Sequence, residues 1–118
     1  MGIFKKNKTE NLLLEDKELL SECKSSLAAV NSKIELDNTN LYKKTLLIID
    51  GIEYSSPSKD ADIYEMDKKI LAAIGDLKIA VRRRVEKSNV EYCENILKNI
   101  KQLLNARNEK VKSFKQQR

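Results

Sequence analysis

The sequence predicts an all-α fold: an antiparallel helical bundle or coiled-coil hairpin of three long helices and one short one. Three observations predict it. Charged residues make up 35% and aromatic residues 5% of the 118, with one Pro and three Gly, a composition that suits long helices and fits a sandwich or barrel badly. Apolar residues recur three and four apart along most of the chain, the period of a buried helical face. Only one segment, Ser55-Ser56-Pro57-Ser58, carries a clear breaker. The length suits one domain, residues 10–114, with a flexible basic N-terminus at 1–9 and a basic tail at 115–118.

The first helix is expected over about 10–36. Leu13, Leu20, Cys23, Leu27, Val30 and Ile34 are separated by 7, 3, 4, 3 and 4 residues, a heptad-like seam. Thr9 is a plausible N-cap, and Glu10, Glu15 and Asp16 follow where a helix dipole favours acids. Asp37-Asn38-Thr39-Asn40 is a cluster of turn formers and ends it.

Residues 41–54 admit two readings. Asp50-Gly51 between apolar runs is a hairpin signal, but nothing else in the chain offers a strand to pair with it. The helical reading is preferred: it puts Leu41, Thr45, Ile48 and Ile52 on one face and uses Gly51 as a left-handed residue after the helix end.

After the Ser-Ser-Pro-Ser loop, Ser58 or Asp60 caps a third helix with the stripe Ile63, Met66, Ile70, Ile74, Leu77, Val81 and Val85. Gly75 interrupts it at a cost of about 1 kcal/mol relative to Ala. A last stripe comprises Val90, Cys93, Leu97, Ile100, Leu104, Val111 and Phe114, broken by Arg107. Ser88-Asn89-Val90-Glu91 matches a capping box, so a fourth helix starting at Ser88 is preferred over one continuous rod of about 80 Å through 60–114.

The missing residues limit the chemistry. Without His, imidazole-dependent nucleophile activation, His general bases and the common zinc and haem ligands are excluded. Cys23 and Cys93 have no metal-ligand spacing, and no glycine-rich phosphate loop is present. Both cysteines fall on apolar stripes, where a thiol acts as a small inert hydrophobe; a redox contact between them would require the first and fourth helices to be neighbours. A helical clamp for an anionic substrate needs inward basic side chains, and Arg107 is the one clear inward exception among aliphatic residues. Such an arginine is expected to snorkel or to fix register. We therefore expect no enzyme, no cofactor and no metal site. Apolar runs such as Leu46 to Ile49 are too short for a membrane span, and no signal-peptide core is present, so a cytoplasmic location is expected.

Charge is unevenly distributed. Residues 10–67 hold 13 acidic and 6 basic side chains, and residues 68–118 hold 5 acidic and 14 basic. The plainest reading is internal, an acidic half folding against a basic half and so selecting the topology. On this basis the chain is expected to be a helical interaction or scaffold module that self-associates or binds a protein. The exposed part of Ile96, Leu97, Ile100, Leu103 and Leu104 is its candidate partner surface. The first alternative is a sequence-tolerant nucleic-acid-binding protein using Arg82, Arg83, Arg84, Lys87, Lys110, Lys112, Lys115 and Arg118, although no aromatic residues interleave with the arginines to stack on bases. The second is a peripheral membrane adaptor docking through residues 1–8, where Ile3 and Phe4 stand beside Lys5, Lys6 and Lys8.

Overall fold

A computed structural model describes residues 2–34, 39–82 and 87–116, with side chains described over 11–34, 40–82 and 90–114. Four helices make up the fold: α1 (Gly2–Asn31), α2 (Thr39–Glu53), α3 (Ala61–Arg82) and α4 (Lys87–Gln116). Among the described residues there is no strand, so the hairpin reading of 41–54 falls and the helical bundle stands.

Helix α1 starts at Gly2, earlier than expected, and Thr9 is interior to it rather than its cap. Residues 3–8 contain neither proline nor glycine, so nothing there interrupts the helical backbone. Glu10, Glu15 and Asp16 therefore lie well beyond the first turn. At the other end Lys33 and Ile34 donate to the carbonyls of Val30 and Asn31, tightening the last turn before Ile34 enters the core. The turn residues Asp37 and Asn38 lie outside the described residues.

Helix α2 buries the face Leu41, Thr45, Ile48 and Ile52, with the Thr45 hydroxyl donating to the Leu41 carbonyl at 2.7 Å. Gly51 is not a left-handed terminator, because the helix continues to Glu53 and no described glycine has positive φ. It allows close approach instead: a Cβ at Gly51 would lie 3.0 Å from the Leu104 side chain of α4.

Asp60 is the N-cap of α3, its carboxylate accepting from the Asp62 and Ile63 amides at 2.9 and 3.1 Å, while the Ser58 hydroxyl accepts from the Asp60 amide. Helix α4 starts at Lys87, one residue before the expected cap. It packs against α3 more extensively than any other pair does, so the two are separate helices and not one rod. The Val85 position and the junction at 83–86 lie outside the described residues.

Each helix packs its backbone closely against two others, giving the cyclic order α1, α2, α4, α3, with α1 opposite α4 and α2 opposite α3. The directions follow from paired residues: α1–α2 and α3–α4 are antiparallel, whereas α1–α3 and α2–α4 run side by side in parallel. The connection through residues 54–60 therefore crosses a diagonal at one end of the bundle. One continuous core fills the interior, centred on Cys23, Leu27, Ile70, Leu77 and Ile100.

Candidate functional site

Three charged residues stand in the core seams at the loop end. Asp16 of α1, Asp67 of α3 and Arg107 of α4 all have fully buried side chains. The guanidinium grips Asp67 through two bonds, Nε to Oδ1 at 2.9 Å and a terminal nitrogen to Oδ2 at 3.0 Å, and reaches Asp16 Oδ2 at 3.1 Å. Its other terminal nitrogen donates to the Ser56 carbonyl at 2.8 Å and to Asn108 Oδ1 at 2.9 Å. All five N–H groups of the arginine are thereby used.

The diagonal loop is held by the same cluster, since the Ser58 amide donates to Asp16 Oδ2 at 2.8 Å. Asp16 Oδ1 is buried with no hydrogen-bond partner. Burial, then the adjacent Asp16 carboxyl, push Asp67 from 3.8 up to about 8, against the lowering pull of Arg107. Arg107 does not snorkel; it lies in the seam. It holds three helices and the loop in one arrangement, closer to the register role than to any ligand contact.

Two grooves run along the bundle where parallel helices meet. The α2–α4 groove, about 370 Å³, has an apolar floor of Ile48, Leu97 and Leu104 and is also lined by Leu47, Lys44, Glu94, Lys98 and Lys101. Leu47 is 70% exposed there. Lys44 bridges to Glu94 at 3.1 Å across the groove's upper part. The α1–α3 groove, about 540 Å³, is lined by Ala29, Val30, Leu71, Ile74 and Gly75, with Lys33, Lys78 and Arg82 toward one end.

The proposed partner cluster on α4 proves to be largely core. Leu97, Ile100 and Leu104 are buried, and Ile96 and Leu103 are partly buried against them, because α4 turns this face toward α3 and α2. Leu97 and Leu104 reach the surface only as groove floor.

Among the described residues, the basic side chains of the expected polyanion patch do not lie together. Arg82 ends α3 and Lys87 opens α4 at the end far from the loop, while Lys110 and Lys112 lie at the loop end. Along α4, Lys87 and Lys110 are about 35 Å apart at 1.5 Å per residue. Lys110 pairs with Asp62 at 3.3 Å, and Arg82 and Lys112 are exposed. Arg83, Arg84 and Arg118 lie outside the described residues, as do the side chains of Lys87, Lys115 and residues 1–8.

Cys23 and Cys93 are buried free thiols on opposite helices. The Cys23 thiol contacts the Asp67 carbonyl at 3.8 Å, and burial, reinforced by Asp67, pushes it up to about 12; burial also raises Cys93. No group of three or more His, Cys, Asp or Glu among the described residues is placed to hold a metal ion, and no described helix is long and apolar enough to cross a membrane.

Sequence reasoning passed over Asp16 and Asp67 while flagging Arg107. A signal was present. The first stripe jumps seven residues from Leu13 to Leu20 and the last jumps seven from Leu104 to Val111, each leaving one seam slot for a charged side chain. In α3 the spacing points to Met66, but the seam runs Ile63, Asp67, Ile70 and Met66 is only half-buried. No protein-family model, curated protein or solved structure matches this chain.

Proposed function

We propose that this chain is a non-enzymatic helical interaction module that associates with a second copy of itself through the α2–α4 groove. The observation that carries this is Leu47, a large aliphatic side chain 70% exposed over an apolar floor and beside Lys44, Lys98 and Lys101. A groove of this kind takes an amphipathic helix, and its lysines favour an acidic one.

The first half of α1 has that chemistry. Leu13 and Leu14 are exposed at 41% and 59%, with Glu15, Glu18 and Glu22 exposed among them against Lys17. Leu14 and Leu47, the two most exposed leucines among the described residues, thus carry surroundings of opposite sign. Apolar contact would supply the affinity and the charges the choice of partner.

Sedimentation equilibrium across protein concentration tests this. The full chain is expected to show a mass above that of the 13.6 kDa protomer, lowered by Leu47→Glu with helical content unchanged. Lys98→Glu with Lys101→Glu should weaken association, and adding Glu15→Lys with Glu18→Lys should recover part of it. A protomer mass at every concentration overturns self-association through this groove.

A further inference from the structure

We propose that the Asp16–Asp67–Arg107 cluster is a one-proton latch: a single proton held on Asp67 and directed at Asp16 keeps the buried cluster neutral, and its loss loosens the diagonal loop from the end of the bundle. Buried charge and an unpartnered carboxylate oxygen carry the latch, whichever way the α2–α4 groove is used.

Two carboxylates and one guanidinium, all fully buried, leave an excess of one negative charge if every group is ionised. Isolated charge of that kind is expensive to bury, and the usual relief is a proton. The arginine has no further hydrogen to offer, since its five are committed to Asp67, Asp16, Ser56 and Asn108. Asp16 Oδ1 nevertheless lacks a donor. A hydroxyl on Asp67 aimed at Asp16 Oδ1 removes both defects, because it neutralises the excess charge and supplies the orphaned oxygen with a partner.

The facing groups fix the direction of the effect. From α1 come Asp16 and the Cys23 thiol, from α4 comes Arg107, and from the loop come the neutral Ser56 carbonyl and Ser58 amide. Among the described residues, no charged group of α2 is hydrogen-bonded to the cluster. Burial and Asp16 outweigh Arg107, placing the transition of Asp67 near 8 rather than at 3.8. The folded chain then keeps a proton that the unfolded chain has released, so stability is lost progressively as pH rises from about 4 to about 8. Because Asp16 Oδ2 holds the Ser58 amide and Arg107 holds the Ser56 carbonyl, the loop is the segment that repulsion between two bare carboxylates would free first.

Carboxyl ¹³C NMR of the full chain tests the proton directly. One aspartate signal, absent in Asp67→Asn, should titrate near pH 8, well above the ordinary aspartate range. In Asp16→Asn, where Asp67 and Arg107 alone form a neutral pair, that signal should move into the acid range. All aspartates titrating below about pH 5 in the native chain would overturn the proposal even if neither variant folds.

Two further readings test the latch. Relative to Asp67→Asn, the native unfolding constant should rise by up to about tenfold per pH unit between pH 5 and 8, the slope of one proton. Amide exchange in 54–60, corrected for its intrinsic pH dependence, should accelerate through the transition more than in 39–53. Parallel stability profiles, or exchange unchanged in 54–60, would overturn the latch.

Discussion

Two glycines in interior helical positions illustrate how local context decides a residue's role. Gly75 has open space where a Cβ would go, so Gly75→Ala should stabilise by about 1 kcal/mol through helix propensity alone, read as a shift in urea midpoint. Gly51 has the Leu104 methyl 3.0 Å from that point, so Gly51→Ala should gain clearly less in the same measurement. Arg107 is the opposite case. Arg107→Leu leaves two buried carboxyls without their donor and should cost about 3–5 kcal/mol at neutral pH. Much of that cost should return on acidification, when both aspartates are neutral. The exposed pairs Lys24–Glu53, Lys44–Glu94 and Lys68–Glu65 should each change stability by less than about 1 kcal/mol.

Among the elements, capping and seam pattern account for most of what forms. Asp60 satisfies two amides at the start of α3, so Asp60→Ala should destabilise by about 1 kcal/mol without changing the topology. The apolar faces of α2, α3 and α4 are legible because their spacings alternate three and four, and the buried residues follow them except at Met66, which is half-buried beside Asp67, and Phe114, which is exposed. The ends were less legible. A helix continues wherever nothing stops it, so α1 passed through Thr9 to Gly2. Gly51 reads as a terminator in isolation because its other use, close approach to α4, depends on a helix far away in sequence. Asp16 reads only as an acid near a helix start, and Asp67 does not stand out, for the same reason: a charged residue in a seam slot makes sense only when its partner is known.

For the whole molecule, the decisive fact is the cyclic order of the helices. It sets α1 opposite α4, so Cys23 and Cys93 are separated both across the bundle and along it. Cys23 lies level with Asp67, which pairs with Arg107, and Cys93 is about 20 Å further along α4 at 1.5 Å per residue. The folded chain should therefore form no intramolecular disulfide under mild oxidation, and both buried thiols should react with a thiol reagent only as fast as the bundle opens. Addition of urea through the unfolding transition should raise the labelling rate of both together. The same order disperses the basic half. α3 and α4 lie side by side, yet Arg82 at the end of α3 and Lys110 and Lys112 late in α4 sit at opposite ends. Opposite charges meet across the two halves at Arg107 with Asp16 and Asp67, at Lys110 with Asp62 and, in the reverse sense, at Lys44 with Glu94.

The sequence by itself determined the helical class, the three long helices and one short one, the faces they bury and the absence of imidazole chemistry. These are properties of composition and of spacing within a few residues, and local backbone geometry is enough to express them. The tertiary structure alone decided which helices touch, how the loop crosses the bundle, and that two aspartates and an arginine from three helices share one buried site. Pairings of that kind join residues 40 and 91 positions apart, and no spacing rule within one helix carries information over such separations.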